Sequence, residues 1–442
     1  MSKIIQSSYV EFMNCIYNKI TRRIPEKTRE ILILIVFIIL AAYFIVFRSA
    51  TFYQGLLKEQ DICQFFGGCL LMIVALLSMR DEITIVRWRA SLMVPYFLFA
   101  LGLVAIGLMH PIGGGYGFFG LMLLSVYPCL YLVWNNRNDY EVLFDKIAVA
   151  FMLAGTVYFI WFVYADFEDV EIIYEGRHQG GFYNANFLSF LGIAICCAAL
   201  YYFYRAITKE GEKPVIAICY SLITIIMGTI LIVKGGSRSA ILILMANALV
   251  VTFFLLKRTI ITRKGIKRSR MPLVIIALIV LSAVLIAVSN NNLFLMFRFD
   301  FSNQNADQFS SGRIGLWNNY VQHLTLLGHD MSSVDWNTLT GGMNTRHAHN
   351  NFLDYSYRSG IIVGLCCAAL QLVAGIIALI CMFKKRTNRG YEVFVVIFTV
   401  QYLVLSLIDI ATLPMTNYGA FFFYICIAPL LLTTCINEED NA

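Results

Sequence analysis

Long apolar runs separated by short polar stretches recur along the whole chain, and they set the expected architecture. The runs cover 30–47, 62–79, 90–109, 117–134, 147–164, 186–204, 214–233, 239–256, 272–289, 359–382, 393–410 and 417–435. Each is close to the ~20 apolar residues that a helix needs to cross a hydrocarbon core about 30 Å thick. They are apolar at successive positions, whereas barrel strands alternate polar and apolar residues, so the pattern predicts helices. The expected fold is an all-α polytopic membrane protein with about 12 transmembrane helices, forming a single membrane domain over 1–442. The first run begins near residue 30 with no small-residue cleavage site after it, which is not the pattern of a cleaved signal peptide.

Most connections between runs are short. The exception is 290–358, which is too polar to span and too long for a passive connection, so a functional role is expected for it. Within it, Ser310, Ser311, Gly312 and Arg313 predict a helix start. Ile314, Trp317, Tyr320, Val321 and Leu324 follow at helical spacing on one face, predicting a helix on the membrane surface or over the bundle.

Composition removes the soluble alternative. Hydrophobic residues make up 59% of the 442 and charged residues only 14%, and the mean hydropathy is +0.72, far from a soluble domain of this size. Basic residues then orient the chain. With both termini cytoplasmic, the inner segments hold clusters such as Arg22, Arg23, Lys27 and Arg29, the loop from Lys257 to Arg270, and Lys384, Lys385, Arg386 and Arg389. The outer side keeps nine of the 34: Arg48, Lys58, Arg177, Lys234, Arg238, Arg298, Arg313, Arg346 and Arg358. The net charge of +7 is thus an insertion signal and calls for no nucleic-acid partner. The long segment 290–358 becomes an extracytoplasmic loop between helices 9 and 10. The 12 cysteines fall mostly within the runs, where Cys behaves as a small apolar residue, and disulfides are not expected.

Candidate chemistry lies where outer loops meet apolar runs. Arg238 stands in Gly235, Gly236, Ser237, Arg238, Ser239, where two glycines allow close approach and Ser237 is placed to cap a helix. A helix N-terminus offers free amides to an anion, and arginine adds a planar fork that fits phosphate oxygens. Arg177 stands in a second glycine-containing loop, and Arg313 opens the helix predicted in the long loop. One such arginine is readily explained as an interfacial anchor. Three facing the same side favour an anion site. His349, in Arg346-His347-Ala348-His349-Asn350, closes the long loop at the start of a helix, where the positive dipole end favours a neutral, proton-accepting ring. Its ordinary pKa of ~6.5 suits a general base; the alternative is a structural helix cap. His347 and His349 have no further ligands at a metal-binding spacing, so neither a metal nor another cofactor is expected.

Taken in order, Gly235-Gly236-Ser237-Arg238-Ser239-Ala240, then Gly312-Arg313 with Trp317, then His349-Asn350 with Leu353, Gly360 and Gly364 resembles the O-antigen ligase and O-antigen polymerase family. Upstream, Arg177, Gly181, Asn184 and Asn186 resemble that family's loop before the middle helices, with Ala185 where the family has proline. The resemblance runs from about 177 to 364.

It implies a metal-independent, inverting membrane glycosyltransferase in the bacterial cytoplasmic (inner) membrane, with its active site extracytoplasmic. The donor would be a polyprenyl diphosphate-linked oligosaccharide, with a glycan acceptor, the lipid bilayer and a chain-length regulator as partners. Without a metal, arginines must stabilise the departing diphosphate. Arg177, Arg238 and Arg313 are assigned to it, with orientation of the loop as the alternative role of Arg313. His349, with Arg238, is the expected catalytic pair, the histidine as base or acceptor-orienting residue. Asn350, Trp317, Asn184 and Asn186 are supporting residues. Polymerisation of lipid-linked repeat units is favoured over ligation to lipid A core or protein, because no dedicated acceptor domain is evident. A transporter or flippase is the reading from another class. It would place ionisable groups near the membrane midplane, whereas the apolar runs carry essentially no charge.

Overall fold

The computed structural model describes residues 2–47, 60–110, 116–165, 178–182, 184–208, 214–261, 310, 312–342, 347–384, 390–409 and 412–432. The described chain is all-helical. An N-terminal helix α1 (Ser2–Lys19) precedes α2 (Glu26–Phe47), α3 (Gln60–Ser78), α4 (Ala90–Met109), α5 (Tyr116–Leu124), α6 (Val126–Arg137), α7 (Tyr140–Tyr164), α8 (Ala185–Thr208), α9 (Pro214–Gly235) and α10 (Arg238–Ile261). After the long segment come α11 (Arg313–Gln322), α12 (Trp336–Thr340), α13 (Asn351–Ser359), α14 (Ile361–Phe383), α15 (Gly390–Ile408) and α16 (Tyr418–Leu431).

Among the described residues nine helical stretches are long and apolar enough to cross a membrane, counting α5 and α6 as one; Ile62–Ser78 and Tyr418–Leu431 are apolar but shorter. The span expected over 272–289 lies outside the described residues, as does the loop from 290 to 309.

The span expected over 117–134 is broken in two, and proline explains the break. Pro128 has no N–H to return to the Leu124 carbonyl, so the helix is interrupted at Ser125. The freed carbonyl is not left bare in the apolar interior: the Tyr9 hydroxyl of α1 donates to Leu124 O, and Tyr96 donates to Leu123 O at 2.8 Å. Helix α1, which the hydropathy pattern did not announce, is docked through polar groups. Asn14 exchanges both of its amide bonds with the Ile83 backbone, at 3.0 and 2.8 Å, and Gln6 accepts from Val86 N at 3.0 Å.

The centre of the bundle is formed by α8 and α16. Every residue of α16 is buried, as expected of a helix that is apolar on all sides. Its rings stack on α15, with Phe398–Phe422 centroids 3.8 Å apart and Tyr402–Phe423 4.1 Å apart.

Two ends of the bundle can be told apart among the described charged residues. At one end Arg137 Nη2 lies 2.7 Å from Glu30 Oε1, Lys146 pairs with the same carboxylate, and Arg80 bridges Glu26 and Asp139. Arg205 of α8 joins Asp145 and Glu141 of α7, and Glu141 also accepts from Gly390 N at the start of α15. Lys257 and Arg258, near the C-terminal end of α10, donate to Met382 O and Thr208 O at this end. Arg238, at the other end of α10, therefore lies ~30 Å away along the axis. There it shares the opposite end of the bundle with Ile408, where α15 finishes.

Candidate functional site

The His349 segment is shaped by its neighbours on both sides. Asn350 is the N-cap of α13, its Oδ1 accepting from Leu353 N at 3.1 Å. Its Nδ2 donates to Leu407 O at 3.1 Å, tying the cap to the end of α15. His349 has φ of +50°, left-handed backbone that costs a non-glycine residue of order 1–2 kcal/mol. The preceding residue is held through both of its backbone groups. Ala348 N donates to Asp354 Oδ1 at 3.3 Å, and Ala348 O accepts from Trp317 Nε1 at 2.8 Å.

The ring of His349 faces Asp409, with Nδ1 3.4 Å from Oδ1. Arg313, the first residue of α11, lies on the other oxygen, Nη2 being 3.8 Å from Oδ2, while its Nη1 donates to Ile408 O. One buried carboxylate thus draws together a histidine and an arginine that are themselves partly open, 25% and 24% exposed in their side chains against 5% for Asp409. Asp409 only accepts, so a neutral His349 facing it carries its proton on Nδ1, which makes Nε2 the accepting nitrogen of the ring. Both contacts are longer than an ideal hydrogen bond.

Sequence reasoning missed Asp409. It falls at the end of the run expected over 393–410, and counting that run as uncharged concealed it. A lone acid at the end of an otherwise apolar span was the available signal.

The expected helix after Gly312 forms, with Ser310 Oγ accepting from Ile314 N at 3.3 Å. Its inward face differs from the expected one. Leu316 and Tyr320 are buried, whereas Val321 is 54% and Ile314 39% exposed. Tyr320 packs on Tyr357 of α13, which draws the helix onto the His349 element.

The other described site residues lie at the starts of α8 and α10. Asn184 Oδ1 accepts from Asn186 N at 2.8 Å, an Asx turn that starts α8. A Cβ on Gly235 would come within 2.7 Å of Ala185 O, so only glycine lets the end of α9 approach the α8 start this closely. His178 N also donates to Lys234 O at 2.8 Å. Ser237 O accepts from Ile241 N at 3.3 Å as α10 begins, and its hydroxyl pairs with Ser239 at 2.9 Å. Arg238 is half-buried at that helix start. Arg177 and Arg346 lie outside the described residues.

Beneath His349 runs a buried polar cluster that sequence reasoning did not assemble. Asp354 Oδ2 accepts from Tyr116 OH at 2.8 Å and from Arg358 Nε at 3.1 Å, and His347 Nδ1 is 3.5 Å away. Burial alone would raise the Asp354 pKa, but the Arg358 guanidinium above all, with the Tyr116 hydroxyl, outweighs it and holds the carboxyl well below the usual range. Desolvation lowers the His347 pKa despite Asp354. Arg358 Nη2 lies 3.2 Å from His347 Nδ1; since arginine only donates, that nitrogen is the acceptor and the ring is neutral. Among the described residues no three His, Cys, Asp or Glu side chains converge as metal ligands.

The fold defines a class: a multi-pass, all-helical membrane protein whose conspicuous polar site sits at one end of the bundle. Residues 222–368 match the family model described as O-Antigen ligase, which supports an O-antigen ligase/polymerase-like family and bears out the resemblance read from the motifs. The matched stretch contains Arg238, Arg313, Trp317, His349 and Asn350. No curated protein and no solved structure matches the chain.

Proposed function

We propose that this protein polymerises lipid-linked repeat units of a surface polysaccharide on the extracytoplasmic face, by glycosyl transfer from a polyprenyl diphosphate-linked donor. The observation that carries the reading is the convergence of Arg313 and His349 on Asp409, at the same bundle end as Arg238, with Arg238, Arg313 and His349 all inside the stretch 222–368 matched to the O-antigen ligase model.

An acceptor hydroxyl attacks the anomeric carbon of the donor sugar. The new C–O bond forms on the face opposite the departing diphosphate, which inverts the configuration. The bond to the diphosphate breaks with its electron pair, leaving added negative charge on phosphate oxygens. Arg177 and Arg238 take up that charge, in an interfacial site where fixed cations act at low dielectric cost. Arg313 contributes to the same field, and its bonds to Ile408 and Asp409 give it the second role of holding His349 in place. His349 Nε2 accepts the proton of the attacking hydroxyl, and Asp409 stabilises the imidazolium that results. No step requires a metal.

Ligation of a finished glycan to a different acceptor, such as lipid A core or protein, is the second reading, and the description of the matched family model favours it. The two differ only in acceptor, so one experiment separates them. Purified protein is given a lipid-diphosphate repeat unit isolated from cells that lack the protein, and no other acceptor. A polymerase yields a ladder of lipid-linked oligomers spaced by one repeat. An unchanged unit that is consumed only once lipid A core or protein is added would establish ligation instead.

A further inference from the structure

We propose that Asp354 is a positioning residue for glycosyl transfer, setting the backbone of the proposed base rather than touching substrate. The inference rests on the reading of His349 given above. Its ground is the geometry of one residue: Ala348 is clamped between Asp354 Oδ1 on its N–H, at 3.3 Å, and Trp317 Nε1 on its carbonyl, at 2.8 Å, so the peptide groups on both of its sides are held. The residue it leads into is His349, the one described residue besides Asn138 that is not glycine and has positive φ. A left-handed histidine persists only where the surroundings over-determine it, and on its other side Asn350 is fixed as the α13 cap.

The clamp needs a charged acceptor that does not move, and the cluster behind it supplies one. Asp354 is 1% exposed. Its second oxygen takes Tyr116 OH and Arg358 Nε, and Tyr116 OH lies also 3.3 Å from Thr412 Oγ1. The carboxylate is thereby tied to α5, to its own helix one turn on, and to the segment after Asp409. Arg358 in turn lies 5.6 Å from the ring centres of both Tyr116 and Trp336, two aromatic faces that help to hold it. Arg358 thus balances a buried charge, and the expected outer arginine acts through Asp354.

Three variants test the proposal, each read by turnover of the isolated lipid-linked unit, by binding of undecaprenyl diphosphate, and by thermal unfolding in detergent. Asp354→Asn keeps the shape but replaces the charged acceptor, and turnover should fall about tenfold or more, as misplaced catalytic groups do. Binding of undecaprenyl diphosphate should stay near wild type, since it does not depend on the setting of His349, while the unfolding midpoint falls because the buried Arg358 loses its counter-charge. Arg358→Gln should lower the midpoint by leaving the carboxylate uncompensated, and Asp354→Asn added to it should restore the midpoint but not turnover. Turnover of Asp354→Asn within about twofold of wild type would overturn the proposal. So would a fall of turnover matched by an equal fall of binding, or one that disappears in the double variant whose midpoint is restored, the mark of a merely structural residue. His349→Ala separates the two ideas. Loss there with normal Asp354→Asn sinks the clamp alone, whereas normal turnover of His349→Ala sinks the reading of the base itself.

Discussion

Arg205 and Arg313 stand at opposite ends of the bundle, and each faces a carboxylate. Arg205 is saturated: Nε and Nη2 take both oxygens of Asp145 at 3.0 and 3.2 Å, and Nη1 takes Glu141 at 2.7 Å. Arg313 spends one nitrogen on the Ile408 carbonyl and lies 3.8 Å from Asp409, with a quarter of its side chain open. A bidentate, closed arginine has nothing left to offer a ligand, and its task is to fasten α7 to α8. A half-engaged one beside a left-handed histidine keeps capacity for an anion. The difference shows that an arginine at a membrane-helix end is read by how fully the fold has already used its donors.

Substitutions can break that contrast, and the largest effect is expected at the open end. His349→Ala should lower turnover by ~10²–10⁴-fold, the usual contribution of a general base. Insertion and unfolding should be unchanged, because the ring itself is not packed into the core. A variant that keeps near-normal rates in the ladder assay would make His349 a helix cap and leave the acceptor proton to another group.

A step down comes Arg238→Lys, which keeps the charge and removes the fork. Charge-assisted hydrogen bonds contribute about 1.5–3 kcal/mol, so the rate should fall by roughly 10- to 100-fold. The same assay run with excess EDTA should proceed at the control rate, the arginines supplying the positive charge. Turnover lost to chelator and restored by Mg²⁺ or Mn²⁺ would reassign the charge stabilisation.

Arg205→Ala sharpens the comparison from the closed end. Removing one partner of a fully buried pair costs about 3–5 kcal/mol; Asp145 and Glu141 are partly solvated, so the loss should be less than this. The detergent unfolding midpoint should fall by several degrees while turnover per folded molecule holds. A variant with normal stability and lost turnover would place Arg205 in the chemistry.

The smallest effect concerns pH. His347 has its pKa lowered in the folded protein, chiefly by desolvation, so the folded state prefers the neutral ring. Its contribution is fully present above the ordinary value of ~6.5 and is lost as pH falls below it toward the depressed folded value. Unfolding midpoints measured from pH 7.5 down to 5 should therefore decline, and less steeply in His347→Asn. Equal slopes in the two proteins would show that another group, such as His178, sets the dependence.

By itself the sequence determined the class. Uninterrupted apolar runs leave the backbone no partner but its own helix, so spans at 90–109, 186–204 or 359–382 were legible to within a few residues. It also showed the order Arg238, Arg313, His349, because motif spacing and charge survive in one dimension. Even the break in the fourth span was written there, as Pro128, though a hydropathy count reads through it. What only the tertiary structure decided is which polar groups meet. Asp409 lies 60 residues from His349 and 96 from Arg313, so its role depends on the end of α15 packing beside α13. Asp354 and Arg358 form a helix-spaced pair in any helical reading, but only the packed bundle brings Tyr116 to Asp354 and Trp317 to the Ala348 carbonyl. Local pattern fixes where a helix lies; burial and charge pairing are properties of the whole packing, and these decide which side chain is held and which is left open.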